Sequence, residues 1–267
     1  MNKIAENIFI REKIEYFSPL RYVDCKEIRP QIISRHGIIP RSVIVFLLPY
    51  YSGKTKNISL YAASRDYHIA IKEITDRLIK SFKSEYPKNK FFGFGDHSPI
   101  DERHAALIAG LGVLGDNRLL INEKYGSYVF IAEIITDLDP DALGDHMPIP
   151  IKHCEGCGAC LAACPTKSLT KDGECLSAIT QRKGELSEFE VELMRSINTV
   201  WGCDMCQLAC PHNKNPHITP IDFFHEDRIE YLTTELLDSM SEEDFADRAF
   251  SWRGRKTVKR NLDALGY

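Results

Sequence analysis

Residues 154–165 are CEGCGACLAACP, and residues 203–211 are CDMCQLACP. The first stretch has the cysteine spacing of bacterial ferredoxins, Cys-x2-Cys-x2-Cys-x3-Cys-Pro. In that motif three closely spaced thiolates wrap one corner of a cubane 4Fe–4S cluster, and the fourth cysteine, before proline, ligates a second cluster. The second stretch repeats the end of the motif. Together they predict a bacterial ferredoxin-like domain that holds two 4Fe–4S clusters.

The pseudo-symmetry of the two motifs predicts which cysteines share a cluster. One cluster takes four ligands: Cys154, Cys157, Cys160 and Cys210. The other takes Cys164, Cys203 and Cys206, which leaves it one ligand short. Cys175 is the candidate for the missing position, separated from Cys203 by an insertion at residues 176–202. Cys25 is then left over, and an isolated cysteine of this kind is typical of a small buried hydrophobic side chain.

Zinc is the alternative interpretation of a cysteine-rich segment. Structural zinc sites prefer two cysteine pairs separated by a dozen or more residues, whereas Cys-x2-Cys-x2-Cys places three thiols too close together for one tetrahedral ion. A disulfide framework is disfavoured because the N-terminus carries charge where a signal peptide would have its apolar stretch. We therefore expect a cytoplasmic metalloprotein. The longest apolar run, at residues 43–48, suits a buried strand and is too short to span a membrane.

The first 150 residues alternate between strand and helix patterns. Residues 43–48 and 129–135 are β-branched strand candidates, and residues 62–86 show helical periodicity that ends at Pro87. A second helix is predicted to begin at Ser98-Pro99, with Ser98 as the N-cap. The alternation favours an α/β domain with helices packed on a sheet. Three domains are predicted: an α/β (α+β) domain at 1–150, the ferredoxin-like domain at 151–216 and a short helical tail at 217–267.

Several segments, in order, resemble those of epoxyqueuosine reductases, cobalamin-dependent iron–sulfur enzymes of queuosine biosynthesis in tRNA that are related to reductive dehalogenases. The matching segments are RDYH at 65–68, GDHSPIDER at 95–103, AGLGVLG at 109–115, LLI at 119–121 and GCDMCQLACPHN at 202–213. The resemblance covers residues 40–215 and the tail 255–262. An ordered set of this kind is far more specific than any one motif.

The resemblance implies a cobalamin between the α/β domain, which becomes the catalytic domain, and the cluster domain. Electrons from an external low-potential donor, such as flavodoxin or ferredoxin, would pass through the clusters to cobalt. The reduced cobalt would drive removal of the epoxide oxygen as water. Asp96 matches the proton donor of the family, and Asp66, His68 and Arg103 match its active-site residues. The backbone at Gly110, Gly112 and Gly115 would approach the corrin or its phosphate tail.

Without the resemblance, each of these residues has an ordinary structural interpretation. Asp96 would be a turn or capping residue, His68 a core or surface histidine, and Arg103 a solvent-facing helix residue. The three glycines would form a helix C-cap and a turn. One position departs from the family pattern, since Asp116 stands where a lysine is expected after the last glycine.

The chain resembles a short form of the family, because it stops at Tyr267 where longer members continue into a helical repeat domain that grips tRNA. Six basic residues without an intervening acid would supply part of such a surface or form a solvated helix face: Arg248, Arg253, Arg255, Lys256, Lys259 and Arg260. The expected substrate is epoxyqueuosine in tRNA or in a smaller piece of it. Two alternatives are a cobalamin reductase of another substrate, such as an organohalide, and an electron-transfer protein without a corrin.

Overall fold

The apolar run at residues 43–48 lies within strand β2 (Ser42–Pro49), which is buried along its whole length. β2 pairs antiparallel with β1 (Phe17–Arg21) and with β6 (Val129–Thr136), and β6 pairs antiparallel with β3 (Phe91–Phe94). The strand order is β1-β2-β6-β3. Both predicted strands are confirmed. Because every pairing is antiparallel, the strand–helix alternation produces an α+β arrangement and not a parallel α/β sheet.

This computed structural model describes residues 2–144 and 147–267, which fall into two compact units. The first unit contains the described part of Met1–Pro49 together with Ala70–Glu155, and the second contains Tyr50–Ile69 and Gly156–Tyr267. The predicted linear division at 150 and 216 differs from this one in two respects. The segment 50–69 joins the later unit, and the tail after residue 216 forms part of that unit. Within the described ranges, no helix is long and apolar enough to cross a membrane.

Helices cover both faces of the sheet in the first unit. On one face Phe9 of α1 (Lys3–Arg11) packs against Phe46 of β2 and Phe82 of α3 (Tyr67–Glu85), with ring centroids 5.3 and 6.0 Å apart. On the other face the buried residues of α4 (Glu102–Ile108) pack against alternate residues of β2, such as Val43 and Val45. A short hairpin of β4 (Val113–Leu114) and β5 (Leu120–Ile121) follows α4. The helices are α1 (Lys3–Arg11), α2 (Pro30–His36), α3 (Tyr67–Glu85), α4 (Glu102–Ile108) and α5 (Pro140–Leu143).

The predicted start of α4 at Ser98 is wrong, because the N-cap is Asp101, whose side chain accepts a hydrogen bond from the backbone N–H of His104. Residues 98–100 are not helical, and the Ser98 hydroxyl accepts the backbone N–H of Ile100 at 3.1 Å instead. The carbonyl of Pro99 accepts hydrogen bonds from the backbone N–H groups of Ile28 and Arg29, both at 2.9 Å. These tertiary bonds outweigh the local helix-start signal. The predicted helix at 62–86 is shorter at its start, since α3 begins at Tyr67.

The second unit is built from short helices around an apolar core. Its helices are α6 (Ala159–Ala163), α7 (Leu176–Gln181), α8 (Glu188–Ser196), α9 (Met205–Leu208), α10 (Thr234–Ser239), α11 (Glu242–Ala246) and α12 (Arg255–Leu265). One core cluster combines Ile58 and Ala62 with Trp201 and with tail residues such as Phe250 and Leu262. The tail therefore buries its apolar side chains in the second unit, which explains why it does not form a domain of its own.

Backbone hydrogen bonds also tie the segment 50–69 to the second unit. Ile58 and Trp201 form a parallel bridge, Ser59 N donates to Trp201 O at 2.8 Å, and Val200 N donates to Asn57 O at 2.7 Å. The buried amide of Asn57 also pairs with the backbone of Leu232 through two hydrogen bonds. A segment that precedes most of the first unit in sequence is thus an internal part of the second.

Candidate active-site cavity and cluster-binding cysteines

A cavity of about 360 Å³ opens in the first unit between α4, the loop before it and strand β6. Its lining includes two of the predicted site residues, Asp96 and Arg103. Six of its other lining residues are apolar: Ile28, Ile100, Leu119, Leu120, Val129 and Ile131. The remaining polar lining comes from Arg29, Asp101, Glu102, Arg118 and Ser127. An apolar wall with a few convergent polar groups is the usual character of a small-molecule site.

The backbone of Asp96 is held in a conformation that is uncommon for a residue with a side chain. Its φ is +59°, in the left-handed region. Its N–H donates a 2.8 Å hydrogen bond to Oε2 of Glu102, and Nη1 of Arg29 lies 3.5 Å from its carbonyl oxygen and 3.1 Å from that of Ser98. The predicted proton donor therefore sits on a turn that is tied to two neighbouring elements.

A fully buried carboxyl lies on the sheet face that α4 covers. Glu133 of β6 is 0 % exposed and pairs across the sheet with Val45, which belongs to the core packed under α4. Neither carboxyl oxygen has a hydrogen-bond partner of regular geometry among the described residues, although the nearby Ser98 hydroxyl favours the charged form. Burial, and then the carboxyl of Glu102, raise the pKa of Glu133 to about 8.

Glu102 is the second carboxyl with a shifted pKa in this region. Its own burial, together with the negative charge of Asp96, raises its pKa to about 7. The hydrogen bond from the Asp96 backbone and the Arg29 guanidinium oppose that shift. Near neutral pH the region under the cavity therefore carries fewer negative charges than its number of carboxyls suggests.

Arg103 extends from α4 into the cavity lining and donates through Nη1 to the carbonyl of Arg118 at 2.5 Å. Arg118 has a φ of +65° in the turn between β4 and β5. The side chain of Arg103 is exposed, so its remaining guanidinium N–H groups face solvent. A guanidinium held in this way offers directed donors to an anionic or oxygen-rich ligand.

The three predicted cofactor glycines lie in tight packing of the chain itself. Gly110 ends α4 with a φ of +75°, and a Cβ there would meet Ile149 at 3.2 Å. A Cβ at Gly112 would lie 2.5 Å from the carbonyl oxygen of Ile121, and one at Gly115 would lie 2.8 Å from its side chain. Gly110 thus lets the chain after α4 lie against Ile149, and Gly112 and Gly115 let it lie against Ile121 of β5. They do not form an open cradle for a corrin, and their role toward cobalamin stays a prediction.

Asp66 and His68 lie in the second unit and form a pair at the start of α3. The side-chain Oδ1 of Asp66 accepts the His68 backbone N–H at 2.9 Å and lies 2.8 Å from His68 Nδ1. The histidine ring stacks on Tyr67, with centroids 4.2 Å apart. Asp66 fixes the orientation of the ring and favours the tautomer with the proton on Nδ1.

The predicted ligands of the second cluster are close enough to influence one another. Burial raises the pKa of Cys203 to about 12, and the nearby thiols of Cys175 and Cys164 add to the shift. Burial likewise raises the pKa of Cys206 to about 12, with added effects from Cys203 and Cys175. Cys175 is thus near enough to Cys203 and Cys206 to affect their pKa values, although 27 residues separate it from Cys203. Such mutual destabilisation of thiolates is relieved when they share positively charged iron.

Cys164 has surroundings that favour a thiolate. Burial alone would raise its pKa, but hydrogen bonds from Ser168, Thr166 and the backbone at Leu169 lower the pKa to about 7. Hydrogen bonds to cluster sulfurs are one of the means by which proteins set a reduction potential. The short helices α6 and α9, which carry Cys160 and Cys206, pack against each other.

The remaining cysteines differ in their surroundings. Cys160 and Cys210 are buried, whereas Cys157 is exposed. Cys154 belongs to the first unit, where its N–H donates to the carbonyl of Leu114 at 3.0 Å. Cys25 packs against the core of the first unit, and burial raises its pKa to about 12, which makes its thiol inert at neutral pH.

The sequence predictions missed two charged residues that line the cavity, Arg29 and Glu102, and the buried Glu133, which interacts with Glu102. Glu133 had a detectable signal, because it is the one charged residue within the apolar strand at 129–136. A charged residue in a buried strand is rare without a partner or a function. Arg29 carried no such signal, since its contact with residues 96–98 arises only from the tertiary fold.

Comparison with known proteins supports the cysteine motif and the resemblance to one family. Residues 153–213 match a model of the 4Fe-4S double cluster binding domain, and residues 38–96 match the model of epoxyqueuosine reductase QueG. The epoxyqueuosine reductase of Listeria monocytogenes is 31% identical over 287 residues, covering 97% of this chain and 72% of the relative. That of Leadbetterella byssophila is 36% identical over 242 residues, covering 83% and 76%. The chain belongs to the epoxyqueuosine reductase family.

Solved structures show that members of this family share the fold. The structure of the Bacillus subtilis epoxyqueuosine reductase, solved with its catalytic aspartate loop swung out of the active site, has a TM-score of 0.78 at 23% identity and covers 98% of this chain and 81% of its own. An epoxyqueuosine reductase solved with an epoxyqueuosine-modified tRNA stem loop has a TM-score of 0.74 at 23% identity, covering 98% and 80%.

Proposed function

We propose that this chain is a cobalamin-dependent iron–sulfur reductase that converts epoxyqueuosine to queuosine, in tRNA or in a smaller piece of it. One observation carries the proposal. Asp96 and Arg103, which match the family's proton donor and active-site arginine, line one cavity in a chain that also carries the double-cluster domain. Membership of the family supports the same substrate and reaction.

The clusters are the electron supply of the proposed reaction. One cluster would be held by Cys154, Cys157, Cys160 and Cys210, and the other by Cys164, Cys175, Cys203 and Cys206. Conversion of an epoxide to an alkene consumes two electrons and two protons and releases the oxygen as water. Two one-electron clusters match that electron count. An external low-potential donor such as flavodoxin or ferredoxin would reload them, and bound cobalamin would supply the strongly reducing metal.

The cavity residues would handle the substrate and its protons. Asp96 would protonate the oxygen that leaves the epoxide, since a departing alkoxide needs an acid within hydrogen-bond reach. Arg103, whose exposed guanidinium is fixed by the Arg118 carbonyl, would bind polar groups of the substrate. His68, oriented by Asp66 in the second unit, is assigned to the active site by its match to the family and not by the cavity.

The first test is cofactor binding. The chain should be reconstituted anaerobically with iron and sulfide, supplied with cobalamin and freed of unbound ligand by gel filtration. We expect cobalt and corrin absorbance to remain with the protein. Absence of cobalt uptake by a protein that holds its clusters would contradict the cobalamin reductase and favour a plain electron carrier.

The second test is turnover. The reconstituted protein, with a chemical reductant, should convert epoxyqueuosine in tRNA, in the isolated anticodon stem loop or in the free nucleoside, and the three rates identify the substrate. Asp96→Asn should lower the rate by about 100-fold or more, the usual contribution of a general acid. Asp263→Asn, an exposed change on α12, should leave it unchanged. An Asp96→Asn variant as active as the wild type would refute the proton-donor role, and turnover of an organohalide alone would refute the proposed substrate.

A further inference from the structure

The loop that carries Asp96 is short and can adopt few conformations. Strand β3 ends at Phe94, and residues 95–98 turn back toward α4 with a 2.6 Å hydrogen bond from His97 N to Gly95 O. Asp96 is exposed and has a left-handed backbone, which costs free energy for a residue with a side chain. A conformation of this kind persists only when contacts from outside the loop hold it.

Two side chains from other elements supply those contacts, one on each side of Asp96. Glu102, at the first position of α4, accepts the N–H of Asp96 at 2.8 Å. Arg29, the N-cap residue of α2, reaches two carbonyls of the loop, that of Ser98 at 3.1 Å and that of Asp96 at 3.5 Å. Hydrogen bonds to charged groups are stronger than neutral ones, so this pair is well suited to oppose the backbone strain.

We propose that Glu102 and Arg29 are positioning residues, which grip the peptide groups on both sides of Asp96 and so keep its carboxyl at the cavity. The inference rests on the proposed function in one point only, which is the role of Asp96 as the proton donor. Its structural content is that the loop opens when either grip is removed. A displaced proton donor loses its effect, because a shift of about 1 Å in a reacting group lowers a rate by about 100-fold.

The strength of the hydrogen bond from the Asp96 N–H to Glu102 depends on the charge of Glu102, so the proposal predicts a dependence on pH. The charged groups that face Glu102 are Asp96, Asp101, Arg29 and, from β6, Glu133. Burial raises the pKa of Glu102 to about 7, so its carboxyl becomes a neutral and weaker acceptor as the pH falls through about 7. The Asp96 turn should therefore loosen below that pH in the wild type. A glutamine at position 102 is neutral at every pH and removes this dependence.

Amide hydrogen exchange on the reconstituted full chain tests the grip without any substrate. A peptide covering residues 94–98 should be followed by mass spectrometry between pH 6 and pH 8, each rate being divided by the intrinsic rate at that pH. We expect Glu102→Ala to raise the exchange rate of this peptide by about tenfold or more, because the loop loses a hydrogen bond to a charged group. Arg29→Gln should act in the same direction. Protection in the wild type should fall as the pH falls, whereas Glu102→Gln should show intermediate protection that does not vary with pH.

Glu73→Gln, an exposed change on α3, is the matched control and should reproduce the wild-type exchange. The thermal midpoint of each variant is measured in parallel, so that a folding defect in Glu102→Ala is recognised. If that variant is poorly folded, the exchange rates of Glu102→Gln decide whether the proposal holds. Unchanged protection in both Glu102 variants, or the same pH dependence in Glu102→Gln as in the wild type, would overturn the proposal. Loss of loop protection without any effect on turnover would uphold the grip and contradict the catalytic role of Asp96.

Discussion

Oγ of Ser59 donates a 2.5 Å hydrogen bond to Oδ1 of Asp204, and both side chains are buried. The other carboxyl oxygen of Asp204 accepts the backbone N–H of Leu60 at 2.6 Å, and Gln207 donates to Oδ1 at 3.2 Å. Burial raises the pKa of Asp204, and these hydrogen bonds oppose that rise. Since Asp204 lies between two predicted cluster ligands in sequence, it ties their loop to the segment 50–69.

We predict that Asp204→Ala destabilises the protein by about 3 kcal/mol or more, because it leaves the buried N–H of Leu60 without an acceptor and opens a cavity. The thermal midpoint of the reconstituted protein should fall and iron should be lost more readily. Asp204→Asn, which keeps one acceptor oxygen, should destabilise the protein by a smaller amount. Asp263→Ala on the exposed side of α12 should cost nothing measurable. Equal midpoints for Asp204→Ala and Asp263→Ala would show that the contact contributes no stability.

The sequence predicted the parts of this fold that depend on local pattern. The strand at residues 43–48 is visible because it is a continuous run of apolar side chains, half of them β-branched, and the cluster domain because cysteine spacing follows directly from cluster geometry. Asp96 and Arg103 were identified through an ordered motif, and the fold brings both to one cavity. In each case the decisive signal lies within a few neighbouring residues.

The features that the sequence did not reveal depend on contacts between distant segments. The segment 50–69 has no special composition, and only its pairing with residues 199–204 assigns it to the second unit. The true N-cap of α4 was missed because Ser98 also carries a good capping signal, and the bonds of the Pro99 carbonyl decide between Ser98 and Asp101. No local rule contains that information.

The cluster assignment makes a prediction about iron content. Cys175→Ala should reduce the iron of the reconstituted chain from about eight atoms toward about four, because one cluster loses a ligand. Cys25→Ala is the matched control: its thiol is packed in the core of the first unit, and the iron content should not change. If Cys175→Ala keeps the full iron content, the fourth ligand of the second cluster must be another group.

Glu133 makes stability depend on pH. Its pKa is raised from 4.5 to about 8 in the folded protein, so between these values the folded state holds a proton that the unfolded state has released, and stability falls as the pH rises through that window. Glu133→Gln removes this loss of stability at high pH, because glutamine does not titrate. Its thermal midpoint relative to the wild type should therefore increase from pH 5 to pH 8, by an amount corresponding to at most about 4 kcal/mol. A difference that is constant with pH would mean that the carboxyl is not neutral in the fold.

The basic tail was expected to provide phosphate contacts or a solvated face, but most of its charges bind the chain itself. The guanidinium of Arg260 donates to the carbonyl of Arg182 at 2.7 Å and also to that of Gly184, while Arg255 binds the carbonyls at the end of α10. Lys259 pairs with Asp238 at 2.8 Å. Lys256, by contrast, is exposed on α12.

Because Arg260 binds the chain and Lys256 is exposed, substitutions at these two positions distinguish a structural role from a role in RNA binding. Arg260→Ala removes the hydrogen bonds to the part-buried carbonyl of Arg182 and the exposed carbonyl of Gly184, and should destabilise the protein by about 1 kcal/mol, which lowers the thermal midpoint by about 2–4 °C in a chain of this size. Lys256→Ala should leave the midpoint unchanged, and any loss of tRNA affinity that it causes should shrink at high salt, because phosphate contacts act through counterion release. If Arg260→Ala weakens tRNA binding at an unchanged midpoint, Arg260 contacts the nucleic acid and its bonds to the chain add no stability.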